Sequence, residues 1–363
     1  MSYLWYWPAG GWDFDKWKKR HPWKPITTTQ SGTRDLEPLI PRGGGLRDWK
    51  KRREEILATT GAILGTLTDR PPRKFKFDVL EQRRHDTYRL QRVRYTLTDS
   101  EWGYAWLLTP PGKRKRPAVI ALHQTVQQGK DEPVGIEGSD SLAYARDLAN
   151  EGFVVLAPDA IGFGERAKDL PTAFYHSGGE FFGRHPEGSA MGKMAFDTSR
   201  AVDLLDRLPE VNAKHIGCIG HSHGGYGTLF AMIADDRIKA GVISCGVTVL
   251  RHDPTPQRWW RMTALMPRLG YYEGHINDAP LDFHHLLALV APRPLMLSAA
   301  LSDAIFPNTE ILKEVSHCVR NIYQLYGAQE QFTRWIFKGD HRFPNQARIR
   351  AYRMLKNALG LAE

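Results

Sequence analysis

A serine set between glycines, Gly220-His221-Ser222-His223-Gly224-Gly225, is the sharpest chemical signal in this chain of 363 residues. It follows an apolar run of strand length at 216–219 and precedes a helical pattern at 225–234. A strained strand-to-helix turn of this type lifts a serine oxygen above the end of a sheet. Glycines belong there because the two backbones meet closely and a Cβ would clash. The competing reading is a glycine-rich turn with an ordinary serine. Serine is a weak nucleophile at neutral pH and needs a base in hydrogen-bond reach, itself oriented by a carboxylate. On turns of this kind the partners follow in the order acid, then histidine. Downstream, Ser302-Asp303 lies just past the β-rich run 294–298, and Gly339-Asp340-His341 just past 333–337. Both are C-terminal strand ends, where open α/β sheets carry their sites. The chemistry predicted is acyl transfer, with Ser222 as nucleophile, His341 as base and Asp303 as the orienting acid.

Other residues compete for these roles. His317 sits inside the helical stretch 308–326 and reads as a helix residue. His221 and His223 flank the serine, but on a tight turn their side chains diverge from it. His284 and His285 read as capping or packing residues, with pocket lining as the alternative. Asp253 rivals Asp303 as the acid, whereas Asp340 adjoins His341 and reads as a turn former. Acyl transfer also needs donors for the developing oxyanion, each worth roughly 3–4 kcal/mol of barrier stabilisation. The backbone N–H of His223 is one expected donor. The other comes from the turn after the first parallel strand, His123-Gln124-Thr125, with Gln124 preferred and Thr125 next. A polar strand end is the alternative for His123-Gln124.

The elements that must position these residues are legible in the pattern. Residues 1–45 are rich in Trp, Pro, Gly and Thr and show no sustained period; 46–67 reads as a helix closed by Pro71-Pro72. Stretches at 76–80, 88–98 and 104–109 read as opening antiparallel strands before the turn Pro110-Pro111-Gly112. Short buried strands then alternate with helices: strands at 118–122, 153–157, 216–219, 240–245, 294–298 and 333–337. Helices are expected at 141–151, 195–208, 225–234, 308–326 and 344–359. This alternation implies a mostly parallel sheet covered by helices on both faces. Two long interruptions, about 162–193 and 248–289, read as lids or binding loops. The domain division expected is an N-terminal extension over 1–75 and a catalytic domain over 76–363.

Composition bounds the remaining possibilities. The chain is 42% hydrophobic and 25% charged, an ordinary soluble mix. No apolar run approaches the length that spans a bilayer. The N-terminus does not read as a signal peptide, and three cysteines are too few and too odd for a disulfide framework; a cytoplasmic location is expected. The net charge of +10 is concentrated early: residues 1–120 hold 25 Lys and Arg against 13 Asp and Glu, the other 243 hold 25 against 27. Basic runs such as Lys16-Trp17-Lys18-Lys19-Arg20 could grip an anionic surface, but without a nucleic-acid motif they read as solvated faces. Neither nucleic acid nor membrane is an expected partner. The pair His221-x-His223 lacks a third metal ligand, and no phosphate-cradling loop follows the first parallel strand, so neither metal nor cofactor is expected.

From about Pro117 to Pro344 the chain resembles the dienelactone-hydrolase and acetyl-xylan-esterase branch of the α/β hydrolases. The motifs that carry this are Ala121-Leu122-His123-Gln124-Thr125, Pro158-Asp159 with Gly162-Phe163-Gly164-Glu165-Arg166, and the Ser222 turn. Ala291-Pro292-Arg293-Pro294-Leu295 leading to Asp303, and Gly339-Asp340-His341, complete the set. The resemblance implies an α/β-hydrolase fold and the triad Ser222, Asp303, His341. Dienelactone hydrolases carry cysteine where Ser222 stands. Prolyl oligopeptidases share the core but precede it with a propeller, for which the roughly 115 residues before this core are too few. The function expected is a serine carboxylic ester hydrolase acting on a small acyl ester such as an acetylated sugar. An amidase-like acyl hydrolase and a non-catalytic binding protein of the same fold are the alternatives. Pocket residues expected are His123, Glu165 and Arg166, with Trp259, Trp260 and Tyr271 from an aromatic second interruption that also holds Met262, Met266, Tyr272 and Phe283; anchoring of that interruption to the core is the equal alternative for its aromatic residues, and mutual pairing the alternative for Glu165 and Arg166. The N-terminal arm is expected to dock on its own domain, with a cover over the site or a homo-oligomer contact as the alternatives.

Overall fold

The structure, a computed structural model, describes residues 12–27, 34–167, 178–307 and 309–361. The first eleven residues of the Trp-rich arm and the middle of the first interruption, 168–177, lie outside the described residues.

Nine strands form one sheet in the order β1-β2-β3-β5-β4-β6-β7-β8-β9. Strands β1 (Phe77–Arg84), β2 (Arg89–Thr96) and β3 (Trp102–Thr109) form the antiparallel start. Strand β3 joins antiparallel to β5 (Val154–Pro158). From β5 onward the sheet is parallel through β4 (Arg116–Leu122), β6 (Val211–His221), β7 (Ile238–Ser244), β8 (Leu295–Ala300) and β9 (Phe332–Phe337). Strands β4 and β5 are buried almost throughout because helices cover both faces, which explains their continuous apolar runs. The order reverses at β4: the chain steps to β5 on one side and to β6 on the other. That switch opens a crevice at the C-terminal strand ends, and Leu122 at the end of β4 pairs with Gly220 just before the serine.

The covering helices are α3 (Tyr144–Asn150), α5 (Ala190–Arg207), α6 (His223–Ala234), α8 (Leu312–Leu325) and α9 (Asn345–Leu359). The short helix α4 (Gly178–Arg184) precedes α5, and α5 starts five residues before its predicted position. Ser189 caps α5 by accepting from the Gly192 N–H, which moves the start upstream of the apolar pattern. Helix α3 is shorter than expected because the turn Asp140–Leu142 is 3₁₀.

Two helices precede the sheet, α1 (Phe14–Arg20) and α2 (Leu46–Leu64). The basic run of α1 has a local cause: Asp13 caps its N-terminus, and Lys18, Lys19 and Arg20 occupy the last turn, each favourable to the helix dipole. Phe14, Trp17, Trp49, Ile56 and Ile63 join the main core on one side of the sheet. Trp12 donates from Nε1 to the Trp260 carbonyl at 2.8 Å, and Arg268 donates to the Ala62 carbonyl at the end of α2. Both helices therefore sit on the second interruption.

That interruption, expected as a lid or binding loop with anchoring to the core as the equal alternative, is a packed part of the core. It runs through four 3₁₀ turns into α7 (Phe283–Ala288), and Trp259, Trp260, Leu269, Tyr272 and Phe283 are all buried. Among the described residues no helix is long and apolar enough to cross a membrane.

Candidate active site

The turn after β6 has the strain its sequence implies. Ser222 has φ 53° and ψ −114°, a conformation rarely adopted by a residue with a side chain, and it precedes the first turn of α6. A Cβ at Gly220 would overlap the backbone of Gly224, and one at Gly224 would overlap the Leu122 carbonyl. The glycines thus let β6, α6 and the end of β4 meet. The Ser222 N–H donates to the Ser244 carbonyl at 2.7 Å, fastening the turn to β7.

Asp303 and His341 come from the loops after β8 and β9. His341 Nδ1 lies 2.8 Å from Asp303 Oδ2, while the other carboxylate oxygen, Oδ1, accepts the N–H groups of Ile305 and Phe306 at 2.8 and 2.9 Å. Burial raises the Asp303 pKa, but the hydrogen bond and charge of His341 and the two backbone donors outweigh it, so the carboxyl is held below its usual range. The acid is thus ionised and aimed. His341 retains 17% of its side-chain exposure, whereas the Asp303 side chain has none. The ring of His221, the residue before the serine, lies 4.8 Å from that of His341, which brings the imidazole to the serine turn.

The competing residues are all engaged elsewhere. Asp253 accepts from Arg258 at 3.0 Å, from Thr248 at 3.1 Å and from the Thr255 N–H at 2.8 Å. His317 is exposed on α8, beside Asn321. His285 accepts the Asp282 N–H in the capping box of α7, and His284 bonds the Glu37 carbonyl at 3.0 Å. Asp340 pairs with Arg342 at the surface.

Three further histidines surround the turn in neutral form. His123 is pushed down to about 4, first by burial, and its Nε2 accepts the Ala160 N–H at 3.1 Å. His223 is pushed down to about 3 by burial and by His123, whose ring it faces at 5.7 Å. His221 lies well below the ordinary histidine value because it is buried and next to His341; its Nδ1 meets Ser244 Oγ at 2.9 Å. Against this neutral wall His341 stands at the rim, with part of its ring reaching solvent. The two predicted oxyanion donors belong to segments in contact: His223 Nδ1 lies 3.4 Å from the His123 carbonyl, the residue before Gln124. The Gln124 side chain is turned the other way, donating to Glu132 at 3.1 Å.

Several expected pocket residues are held by other side chains, although Arg166 and His123 both line one small cavity beside Asp159, Asp197 and His223. Arg166 is 1% exposed; it binds Glu101 at 2.5 Å and Asp197 at 2.8 Å instead of pairing with its neighbour Glu165. Glu165 pairs with Lys130 at 2.9 Å and Arg92 at 3.0 Å. Trp259 and Trp260 are each 1% exposed, and Trp259 packs between Tyr226, Phe283 and Phe306. Tyr271 faces α1, donating its hydroxyl to the carbonyls of Lys18 and His21. Each was expected at the pocket because of its chemical type, and each is taken up by packing or ion pairing. His123 is buried and supports the turn from behind. The sequence reading missed Phe306, whose ring lies 5.9 Å from that of His341, with the Arg258 guanidinium carbon 5.3 Å from the Phe306 ring centroid. It also missed Cys245. Neither carries a local signal, since each reaches the site through the lateral order of β7, β8 and β9.

The chain is similar to known esterases. The family model described as glucuronyl esterase, fungi, matches residues 162–327, a stretch holding Ser222 and Asp303. The protein YtaP of Bacillus subtilis is 26% identical over 278 residues, covering 74% of this chain and 87% of the relative. The 4-O-methyl-glucuronoyl methylesterase 1 of Phanerochaete chrysosporium is 27% identical over 139 residues, covering 32% of this chain and 28% of that one. Among solved structures, a glucuronoyl esterase from Solibacter usitatus superposes with a TM-score of 0.72 at 18% identity, covering 90% of this chain and 98% of its own. The chain has the α/β-hydrolase fold and is similar in sequence to carboxylic ester hydrolases of that fold.

Proposed function

We propose that the chain cleaves carboxylic esters through an acyl-enzyme on Ser222, with His341 as general base and Asp303 as the group that orients it. The observation that carries this reading is the 2.8 Å contact between His341 Nδ1 and an ionised, buried Asp303, at the same rim as a serine held at φ 53°. With Nδ1–H given to Asp303, Nε2 is free to take the serine proton and return it to the leaving alcohol. Water attacks the acyl-enzyme by the same route in reverse. The backbone N–H groups of His223 and Gln124 are the proposed oxyanion donors.

The substrate class proposed is an ester of a sugar acid, in which the sugar is the acyl part. The support is the matching family model and the methylesterase relative, both named for glucuronic acid esters. An acetylated sugar, the expectation from sequence, reverses that polarity, since the sugar is then the alcohol. A panel of methyl and benzyl glucuronate, acetylated xylose and nitrophenyl acetate separates the two. Preference for glucuronate esters by at least tenfold in kcat/KM supports the proposal, and preference for acetylated sugars overturns it. Ser222→Ala is expected to lower turnover on the order of a millionfold and to abolish labelling by a fluorophosphonate. Substantial hydrolysis by that variant would sink the mechanism.

A further inference from the structure

Among the described residues only two that bear a side chain have positive φ: Ser222 at 53° and Cys245 at 45°. The first is the proposed nucleophile. The second stands at the end of β7, its N–H bonded to the Ser298 carbonyl at 2.8 Å, in a conformation that glycine would adopt without strain. The thiol this backbone presents reaches the acid and the base of the site. One ligand atom each from Cys245, Asp303 and His341 lie within 4.8 Å of one another. Thiolate, carboxylate and imidazole are the three ligand types that zinc takes, and ligands at 2.0–2.3 Å around a tetrahedral ion stand roughly 3–4 Å apart. Small movements of the three side chains would therefore close the set.

We propose that Cys245, Asp303 and His341 form an inhibitory site for a thiophilic divalent cation, with zinc as the type case. It rests on the reading above only in that the bound ion would stop His341 from acting as base.

The exchange balances as follows. The ion bonds to Cys245 Sγ, to a carboxylate oxygen of Asp303 and to His341 Nδ1, and a water completes the tetrahedron. The thiol proton leaves to solvent. The proton on Nδ1 is displaced and, through solvent, returns to the same ring at Nε2. One proton is released for each ion bound to a neutral imidazole, and no oxidation occurs. The ring is then the wrong tautomer: Nε2 carries a hydrogen and cannot accept one from Ser222. Burial and the nearby Asp303 carboxylate raise the Cys245 pKa, so the free thiol is protonated and a poor target for alkylation. A cation removes that obstacle by stabilising the thiolate directly. His341, the exposed member of the three, lies on the loop beyond β9 and provides the way in.

Two measurements test this. The first is hydrolysis of nitrophenyl acetate in a zinc titration, each variant being compared with its own metal-free rate. Reversible inhibition at micromolar zinc is expected, relieved by chelator and strengthened about tenfold per pH unit as the thiol proton becomes easier to lose. Cys245→Ala should raise the inhibitory zinc concentration at least tenfold, and Cys245→Ser should fall between the two. The second needs no activity: cobalt(II) added to Ser222→Ala protein should give a thiolate-to-metal charge-transfer band, absent when Cys245→Ala is added to that background. Equal zinc sensitivity in the wild type and both Cys245 variants overturns the proposal, as does a cobalt complex without a thiolate band. A thiolate band in a protein with no esterase activity would uphold the metal site while removing the proposed function.

Discussion

Among the clusters of carboxylates and nitrogen-bearing side chains in the described residues, two differ in how completely they are closed. At the sheet rim, Asp303 has one side-chain partner, His341, which keeps part of its surface in solvent. Beneath the 159–167 loop, Lys193 contacts Asp69 at 2.6 Å, Glu101 at 2.5 Å and Asp197 at 2.8 Å, and Arg166 bridges the last two. Both cations there are 1% exposed in their side chains. Burial opposes their charge, but Asp197 and Glu101 outweigh it and raise both pKa values, while Glu101 is held down to about 2. This cluster ties the linker before β1, the hairpin before β3, the 159–167 loop and α5 into one piece. A closed network of this kind fixes architecture, since its charged groups face one another and leave no side chain turned to a substrate. The rim pair is open: His341 gives Nδ1 to Asp303 and keeps part of its ring in solvent, where a substrate can reach it.

The sharpest way to break this contrast is to remove the charge from each group in turn. Asp303→Asn keeps the shape of the acid but favours the wrong imidazole tautomer, and turnover should fall about 10⁴-fold, as in a protease triad, with folding stability little changed. A fall under tenfold, read from initial rates, would mean that another carboxylate orients His341. Lys193→Met should do the reverse. It leaves one buried and two partly buried carboxylates short of a partner, so urea denaturation should show a loss of about 3 kcal/mol, while the rate per folded molecule stays within a few-fold. A stable but inactive Lys193→Met protein would move the cluster from architecture to catalysis.

The next effect sharpens the contrast between the open histidine and the sealed ones. His123, His221, His223, His284 and His285 all have folded pKa values driven below the unfolded value of about 6.5, first by burial. As pH falls below that value the unfolded chain takes up protons that the folded chain refuses. Stability is therefore intact above about pH 7 and is lost on acidification, by about 2 kcal/mol for each such histidine at pH 5. The Tm should fall steeply between pH 7 and pH 5; a flat profile would show that these rings are protonated in the folded state. The smallest effect concerns the N-terminal helix. Tyr271→Phe removes the hydroxyl that holds the carbonyls of Lys18 and His21 and should cost about 1 kcal/mol without altering kcat. A large drop in kcat would return Tyr271 to the pocket.

Much of the fold was legible because it is written in local periodicity. The opening antiparallel strands, the buried parallel strands and the helices between them follow from apolar runs and their punctuation, and their boundaries shift mainly where a cap intervenes, as Ser189 does for α5. The residues at 222, 303 and 341 could be picked out because the turn chemistry around each is local. The fate of the second interruption was not legible. Trp259 and Trp260 have the composition of a lid as much as of a core, and only the docking of α1, α2 and α7 against them decides between the two.

The amino-acid sequence alone determined the elements, their order and the three side chains placed at strand ends, because backbone preferences and apolar spacing act over a few residues. The tertiary structure decided which charges close on one another and which stay open. Arg166 and Glu165 are adjacent in the chain yet bind different partners, and Cys245 meets Asp303 and His341 only because β7, β8 and β9 lie side by side. Electrostatic and coordination partners are set by distance and burial in three dimensions, and residue type along the chain does not encode either.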